Sequence, residues 1–202
     1  MTMSDVLKTT SIEPSTLEDL KSIVALHLAC METLLTDLGK NFVNKYYSES
    51  LTSQSVIALS AHTGEYISGW AFGSPNPAAL TKKLMNDPIW FIWQLVVVTI
   101  SNPKALMSLV NNLLHPGDND IPPGTIELTY IGVAKDHSRR GIGKLLLHSF
   151  CNSARQRGYT KVILSVEKDN KPAFALYSAE GFSVISEFSE GHFMRYRMVR
   201  EL

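Results

Sequence analysis

Residues 126–144 read IELTYIGVAKDHSRRGIGK. Ile126 to Val133 is an apolar run of strand character, and Ala134 to Ser138 is a polar turn. Arg139, Arg140 and Gly141-Ile142-Gly143 follow, and Lys144-Leu145-Leu146-Leu147 opens a helix. A strand, a glycine turn and a helix start in this order make an anion cradle. The first N–H groups of a helix have no partner within it, and the helix dipole favours negative charge there. Glycine lets the backbone come close to the anion, and Arg139, Arg140 and Lys144 add positive charge at the same place.

This turn differs from the two common nucleotide fingerprints. A dinucleotide site needs a third glycine, and an ATP-binding P-loop needs Gly-Lys-Ser/Thr, whereas Gly143-Lys144 is followed by Leu145. Ser138-Arg139-Arg140-Gly141-Ile142-Gly143 does resemble the Arg/Gln-x-x-Gly-x-Gly/Ala loop of the GNAT superfamily of N-acetyltransferases, which holds the pyrophosphate of acyl-CoA. Ser138 stands where that family usually has arginine or glutamine. Downstream, Asn170-Lys171-Pro172-Ala173-Phe174-Ala175-Leu176-Tyr177, then Gly181-Phe182, resembles the family's Asn-x-x-Ala-x-x-x-Tyr segment and its Gly-Phe. The resemblance covers roughly residues 125–188.

The resemblance implies an α/β fold: a mixed, central, twisted sheet of six to seven strands flanked by helices, of the acyl-CoA N-acyltransferase type. It implies transfer of an acetyl or other short acyl group from acyl-CoA to a primary amine, with acetyl-CoA as cosubstrate and no metal. A non-catalytic acyl-CoA-binding module and a protein N-acetyltransferase are the alternatives.

The whole chain bounds these readings. Its 202 residues suit a single domain, 1–202, with a helical insertion at about 78–123. Hydrophobic residues make up 45%, enough for a core, and 19 basic residues balance 19 acidic ones. That balance argues against a general nucleic-acid or anionic-membrane binder. Cys30 and Cys151 are too few for a disulfide framework or a zinc site, and both lie in apolar helical patterns as buried thiols. MTMSDVLKTT lacks the basic and apolar regions of a signal peptide, so the expected location is cytoplasmic.

Upstream, Val6 to Ile12 reads as a strand broken by Glu13-Pro14. Ser15 with Glu18, or Thr16 with Asp19, makes a capping box for a helix bearing Leu20, Ile23, Val24, His27, Met31 and Leu34, ended by Gly39. His27 on that apolar stripe reads as a packed core histidine. Phe42 to Leu51 is a second helix, and Val56 to Ser60 with Tyr66 to Gly73 is a hairpin. In the insertion, Ala79 to Met85 and Pro103 to Leu114 read as helices, and Ile89 to Ile100 is almost wholly apolar. Twelve residues are too few to span a bilayer, which takes about 20, so no transmembrane segment is expected. The apolar run reads first as a buried helix of the same domain; a homodimer surface or shallow membrane contact, and a pocket for a hydrophobic substrate, are the other readings. Downstream, Lys144 to Arg157 is a helix, Lys161 to Val166 a buried strand and Asn170 to Ala179 a helix. Phe182 to Phe188 and His192 to Val199 form a last hairpin.

Acyl transfer from a thioester to an amine needs a held donor, a deprotonated amine, a stabilised oxyanion and a protonated leaving thiolate. The resemblance assigns the pyrophosphate to the backbone of Arg139, Arg140, Gly141, Ile142, Gly143 and Lys144. It assigns the pantetheine arm to the backbone of Ile131, Gly132 and Val133, in a bulged strand, with Asn170, Ala173, Phe174 and Tyr177 completing the acyl-CoA site. Asn170 also reads as an ordinary helix cap. Tyr177 is the candidate acid for the departing sulfur, since phenol and thiol have comparable pKa values. Glu127 is the candidate base, its pKa raised by partial burial. Strict alternation puts Glu127, Thr129 and Ile131 on one face and Tyr130 on the other. Glu65, Glu167 and His192 are the weaker candidates for the base.

Overall fold

The computed structural model describes residues 9–104, 107, 121–190 and 193–202. Seven strands form one sheet: β1 (Thr10–Pro14), β2 (Ile57–Thr63), β3 (Tyr66–Ser74), β4 (Thr125–Val133), β5 (Lys161–Glu167), β6 (Ser183–Glu190) and β7 (Phe193–Glu201), in the order β1-β2-β3-β4-β5-β7-β6. β4 and β5 pair in parallel and every other neighbouring pair is antiparallel. The sheet is therefore mixed, as expected, and it has the expected number of strands.

Helices cover both faces. On one face lie α1 (Leu20–Cys30), α2 (Leu34–Asp37), α3 (Lys40–Leu51), α4 (Pro77–Lys83) and α5 (Pro88–Ser101), which share an apolar core with Trp70 and Phe72 of β3. On the other lie α6 (Ile142–Gln156) and α7 (Lys171–Ala179). Leu146, Leu147, Phe150 and Ala154 of α6 fall at helical spacing and bury against Ile126 and Leu128 of β4 and Val162 and Leu164 of β5. The parallel pair is needed here because α6 makes the crossover between β4 and β5.

The first strand departs from expectation. It runs from Thr10 through Pro14 instead of stopping at Ile12, and residues 1–8 lie outside the described chain. Pro14 is tolerated because β1 is an edge strand, where a missing N–H breaks no central ladder. The Asp19 carboxylate accepts the Thr16 N–H at 2.9 Å, so the second of the two proposed capping pairs forms. α1 ends at Cys30, short of Leu34. Thr33 accepts the Thr36 N–H at 3.3 Å and caps the separate short helix α2, and Gly39, at φ 95°, begins α3 instead of ending α1.

The segment expected to be an insertion holds a second correction. Asp87 caps α5 by accepting the Trp90 N–H at 3.0 Å, and one side of the helix packs on α3, where Phe42 meets Trp90 and Phe91 edge-on. Val98 and Gln94 are buried. The opposite side is not: Ile89 is 82% exposed and Trp93 64%, with Ile92, Val96, Val97 and Ile100 beside them. α5 is half-buried, not a core helix. The helix expected at Pro103 to Leu114 and the loop after it lie almost wholly outside the described residues, as does His192. Among the described residues no helix is long and apolar enough to cross a membrane.

Candidate acyl-transfer site

The central strands part company at one point. β4 and β5 pair from Thr125↔Lys161 to Leu128↔Leu164; beyond that, β4 runs on to Val133 and β5 to Glu167 without pairing to each other. A V-shaped opening results. Along its β4 side, from Thr129 to Val133, alternate backbone N–H and C=O groups face the gap with no strand to satisfy them. An extended ligand with amide groups can add there as a strand would.

At the mouth of the opening lies the glycine turn. Lys135–His137 forms a single 3₁₀ turn, and the Ser138 hydroxyl donates back to Lys135 O at 2.7 Å. Ser138 thus serves the turn itself. Arg139, at φ 58°, and Gly141, at φ 88°, are left-handed, an alternation that gathers successive N–H groups into an anion-binding concavity. The first helical hydrogen bond of α6 runs from Leu145 N–H to Gly141 O at 3.0 Å, leaving the N–H groups of Ile142, Gly143 and Lys144 ahead of the ladder. No acidic residue stands in the first turn. A Cβ on Gly143 would lie 3.7 Å from Leu176 Cδ2 and Val133 Cγ2, an ordinary contact. Gly143 is therefore not strained, and a side chain there would stand between Leu176 of α7 and Val133 of β4.

The cations divide. Lys144 Nζ meets Glu180 Oε1 at 2.8 Å, and the other Glu180 oxygen meets His148 Nε2 at 2.5 Å. The bond from Lys144, more than that from His148, holds the Glu180 carboxyl below the usual carboxylate range. Arg139 and Arg140 have no ion-pair partner among the described residues. They are the free positive charges of the turn.

Asn170 caps α7: its Oδ1 accepts the Ala173 N–H at 3.2 Å. Ala173 and Phe174, on the first turns of α7, pack at the edge of the core under α6. Tyr177 is buried in that core beside Phe182, and its hydroxyl has no hydrogen-bond partner among the described residues. Burial pushes its pKa up to about 12. The phenol is thus a weaker acid than the expected parity with a thiol assumed, though a thiolate released into the same apolar surroundings is destabilised too.

β4 carries a feature that alternation missed. Its register with β3 shifts between Phe72↔Tyr130 and Gly73↔Leu128, so Thr129 is the extra residue of a β-bulge. The bulge reverses the parity. Ile126 and Leu128 before it, and Ile131 and Val133 after it, pack on the α6 side; Tyr130 packs on the α3 side. Glu127 therefore shares a face with Tyr130, not with Ile131. Glu127 and Tyr130 both act electrostatically on Tyr46 of α3. The expected bulge at Gly132 is absent from that position. A Cβ on Gly132 would fall 2.5 Å from Trp70 Cη2, so this glycine makes room for a fully buried tryptophan. Both Glu127 oxygens are engaged: Arg197 Nη1 and Nη2 donate to Oε1 and Oε2 at 3.0 and 3.1 Å. Sequence reasoning passed over Arg197, because only the pairing of β7 with β5 brings it there. The same face holds a groove of about 360 Å³ lined by Thr125, Lys161, Ile163, Ile185, Arg197 and Val199, among others.

Glu65 lies in the β2–β3 turn and Glu167 pairs with Arg195 at 3.4 Å. The Cys30 thiol sits 3.6 Å from Val133 O, half-buried, with burial pushing its pKa up.

A mixed sheet that splays beside a glycine turn at a helix start defines a class. Residues 107–182 match the Acetyltransferase (GNAT) family. The fold is shared with the N-acetyltransferase PaiA of Thermoplasma acidophilum in complex with coenzyme A, at TM-score 0.59 and 14% identity over 96% of this chain and 99% of that one. The matched segment carries β4, the glycine turn, α6, β5 and α7, and in it the chain is similar to members of that family. Two similar relatives are mycothiol acetyltransferases: that of Kocuria rhizophila is 32% identical over 96 residues, 48% of this chain and 30% of the relative, and that of Clavibacter michiganensis subsp. michiganensis is 41% identical over 136 residues, 62% and 42%. The chain thus spans well under half the length of these relatives.

Proposed function

We propose that the protein transfers an acetyl group from acetyl-CoA to a primary amine of a small molecule. The observation that carries this is the opening between β4 and β5, which ends on the unpaired N–H groups of Ile142, Gly143 and Lys144. The residues present fit acetyl-CoA: an extended edge of amide length from Ile131 to Val133, an anion cradle, free guanidiniums at Arg139 and Arg140, and Tyr177 beneath.

In this reading the pyrophosphate lies on the turn, and the pantetheine amides bond the β4 edge. A β4 N–H at Ile131 or its neighbour stabilises the oxyanion as the amine attacks the thioester carbonyl. The C–S bond then breaks, and Tyr177 gives its proton to the leaving sulfur. A phenol whose pKa is about 12 remains protonated throughout the working pH range, so it serves as an acid and not as a base. The amine must shed one proton, and Glu127 accepts it directly or through water. The relatives named mycothiol acetyltransferase favour a small acceptor, and the groove beside Arg197 is a place for its body.

The test is acetyl-CoA with a panel of amino sugars, polyamines, amino acids and short peptides, followed by thiol release. Turnover with small amines supports the reading. CoA binding with no turnover across the panel would favour a binding module, and turnover on peptides alone would favour a protein acetyltransferase.

A further inference from the structure

We propose that Arg197 is a positioning residue of the acyl-transfer site, the group that fixes Glu127 as an oriented carboxylate; this rests on the reading of Glu127 as proton acceptor. Arg197 stands on β7, two strands from β4, and reaches over β5. Its guanidinium bridges both Glu127 oxygens and also donates to Ser165 Oγ at 2.9 Å, the residue opposite it on β5. Glu127 is in register with Ile163, one residue before the last β4–β5 pair. The clamp therefore spans the seam where the strands begin to part, at the floor of the opening.

The surroundings explain why a clamp is needed. Glu127 is 16% exposed and Arg197 17%, so water screens the pair weakly. Two phenols also lie near Glu127. α3 offers the Tyr46 phenol, and β4 offers Tyr130. On β5, Lys161 pairs with Glu201 at 2.9 Å, and Glu167 takes Arg195 from β7 at 3.4 Å. A half-buried carboxyl among phenols tends toward its neutral form, which cannot accept a proton. A bidentate guanidinium opposes that tendency and locks the plane of the carboxylate. Acceptance of the amine proton remains balanced: the amine loses H⁺, Glu127 gains it, and water removes it while Arg197 keeps its charge.

The experiment compares Arg197→Gln and Arg197→Lys with the parent protein. The first readout is a ¹³C NMR titration of the Glu127 carboxyl, which needs no turnover. The second is kcat/KM against pH on an acceptor found with the amine panel. We expect the Glu127 midpoint to rise in the glutamine variant and to lie between the two in the lysine variant, whose single charge cannot bridge both oxygens. The loss of kcat/KM in the glutamine variant should be about tenfold larger at pH 6 than at pH 9. If the glutamine variant does not fold, the lysine variant carries the same comparison. An unmoved Glu127 titration, or a pH profile parallel to that of the parent, overturns the proposal and leaves Arg197 a structural ion pair. A shifted titration in a parent protein that acetylates no amine overturns the acyl-transfer reading instead, and the proposal with it.

Discussion

At the scale of single residues, His27 shows how a polar group earns a place in an apolar core. The Trp70 indole N–H, which can only donate, reaches Tyr47 Oη at 3.0 Å. The Tyr47 hydroxyl is then free to donate to His27 Nδ1 at 2.9 Å, and His27 Nε2–H to Thr36 Oγ1 at 3.1 Å; Thr36 passes its own proton to Met31 O at 2.9 Å. Every link is satisfied only if His27 is neutral, and burial lowers its pKa from 6.5 to about 4. The folded pKa lies below the unfolded one, so the unfolded chain binds more protons between these values, and stability falls as pH drops from 6.5 toward 4. The loss should reach roughly 3 kcal/mol, read as a falling urea midpoint that His27→Gln, lacking the titration, shows much less. An equal slope in both proteins would place the acid sensitivity elsewhere. Tyr177 gives a second residue-level test. Tyr177→Phe keeps the ring against Phe182 and removes the proton. On our reading kcat drops by about 100-fold or more while CoA affinity stays near that of the parent, in stopped-flow and calorimetric measurements. Unchanged kcat would make water the acid. The packing of His27 was legible in the sequence from its apolar stripe, whereas the role of Tyr177 came from the resemblance and is what this variant tests. Arg197 was not legible, because nothing local to it announces a partner seventy positions away.

At the scale of elements, periodicity found nearly all the helices and strands and failed where a single residue broke the period. The bulge at Thr129 reverses which face Glu127 occupies, and no local signal at Leu128-Thr129-Tyr130 marks it. Gly132 was visible as a glycine, but its cause, the Trp70 ring, lies on another strand. α5 failed differently. An apolar run with no polar stripe cannot show which side is inward. The structure answers that with Val98 inward at 3% exposure and Ile92 outward. Val98→Ala should therefore cost about 1–3 kcal/mol in urea unfolding, and Ile92→Ser less than about 0.5 kcal/mol. Comparable losses from both would mean that the outer face of α5 is covered too. α3 connects α5 to the candidate site, since Phe42 packs on Trp90 and Phe91 while Tyr46, one turn on, packs on Tyr130.

At the scale of the molecule, two cores on opposite faces of one sheet leave the β4–β5 opening as the place where backbone groups are unpaired and positive charge is free. The chain announced that place early, because a glycine turn and a helix start are written in consecutive residues. The proposed acceptor side is assembled from β4, β5, β7 and α3, and its geometry could emerge only from their pairing. The central claim is that the turn at Arg139 to Lys144 holds the phosphates of CoA on backbone N–H groups. Calorimetric titration of CoA into the parent protein and into Gly143→Val tests it directly. A Cβ at Gly143 meets only ordinary contacts, so the variant should fold with a circular dichroism spectrum like that of the parent. Its side chain would stand between Val133 and Leu176, beside the unpaired N–H groups at the mouth of the opening, and CoA affinity should fall at least about tenfold, the loss of one well-placed charge-assisted bond or more. The parent should bind CoA and gain melting temperature from it. Equal affinity in the two proteins, or no binding to the parent at millimolar CoA, would contradict the account.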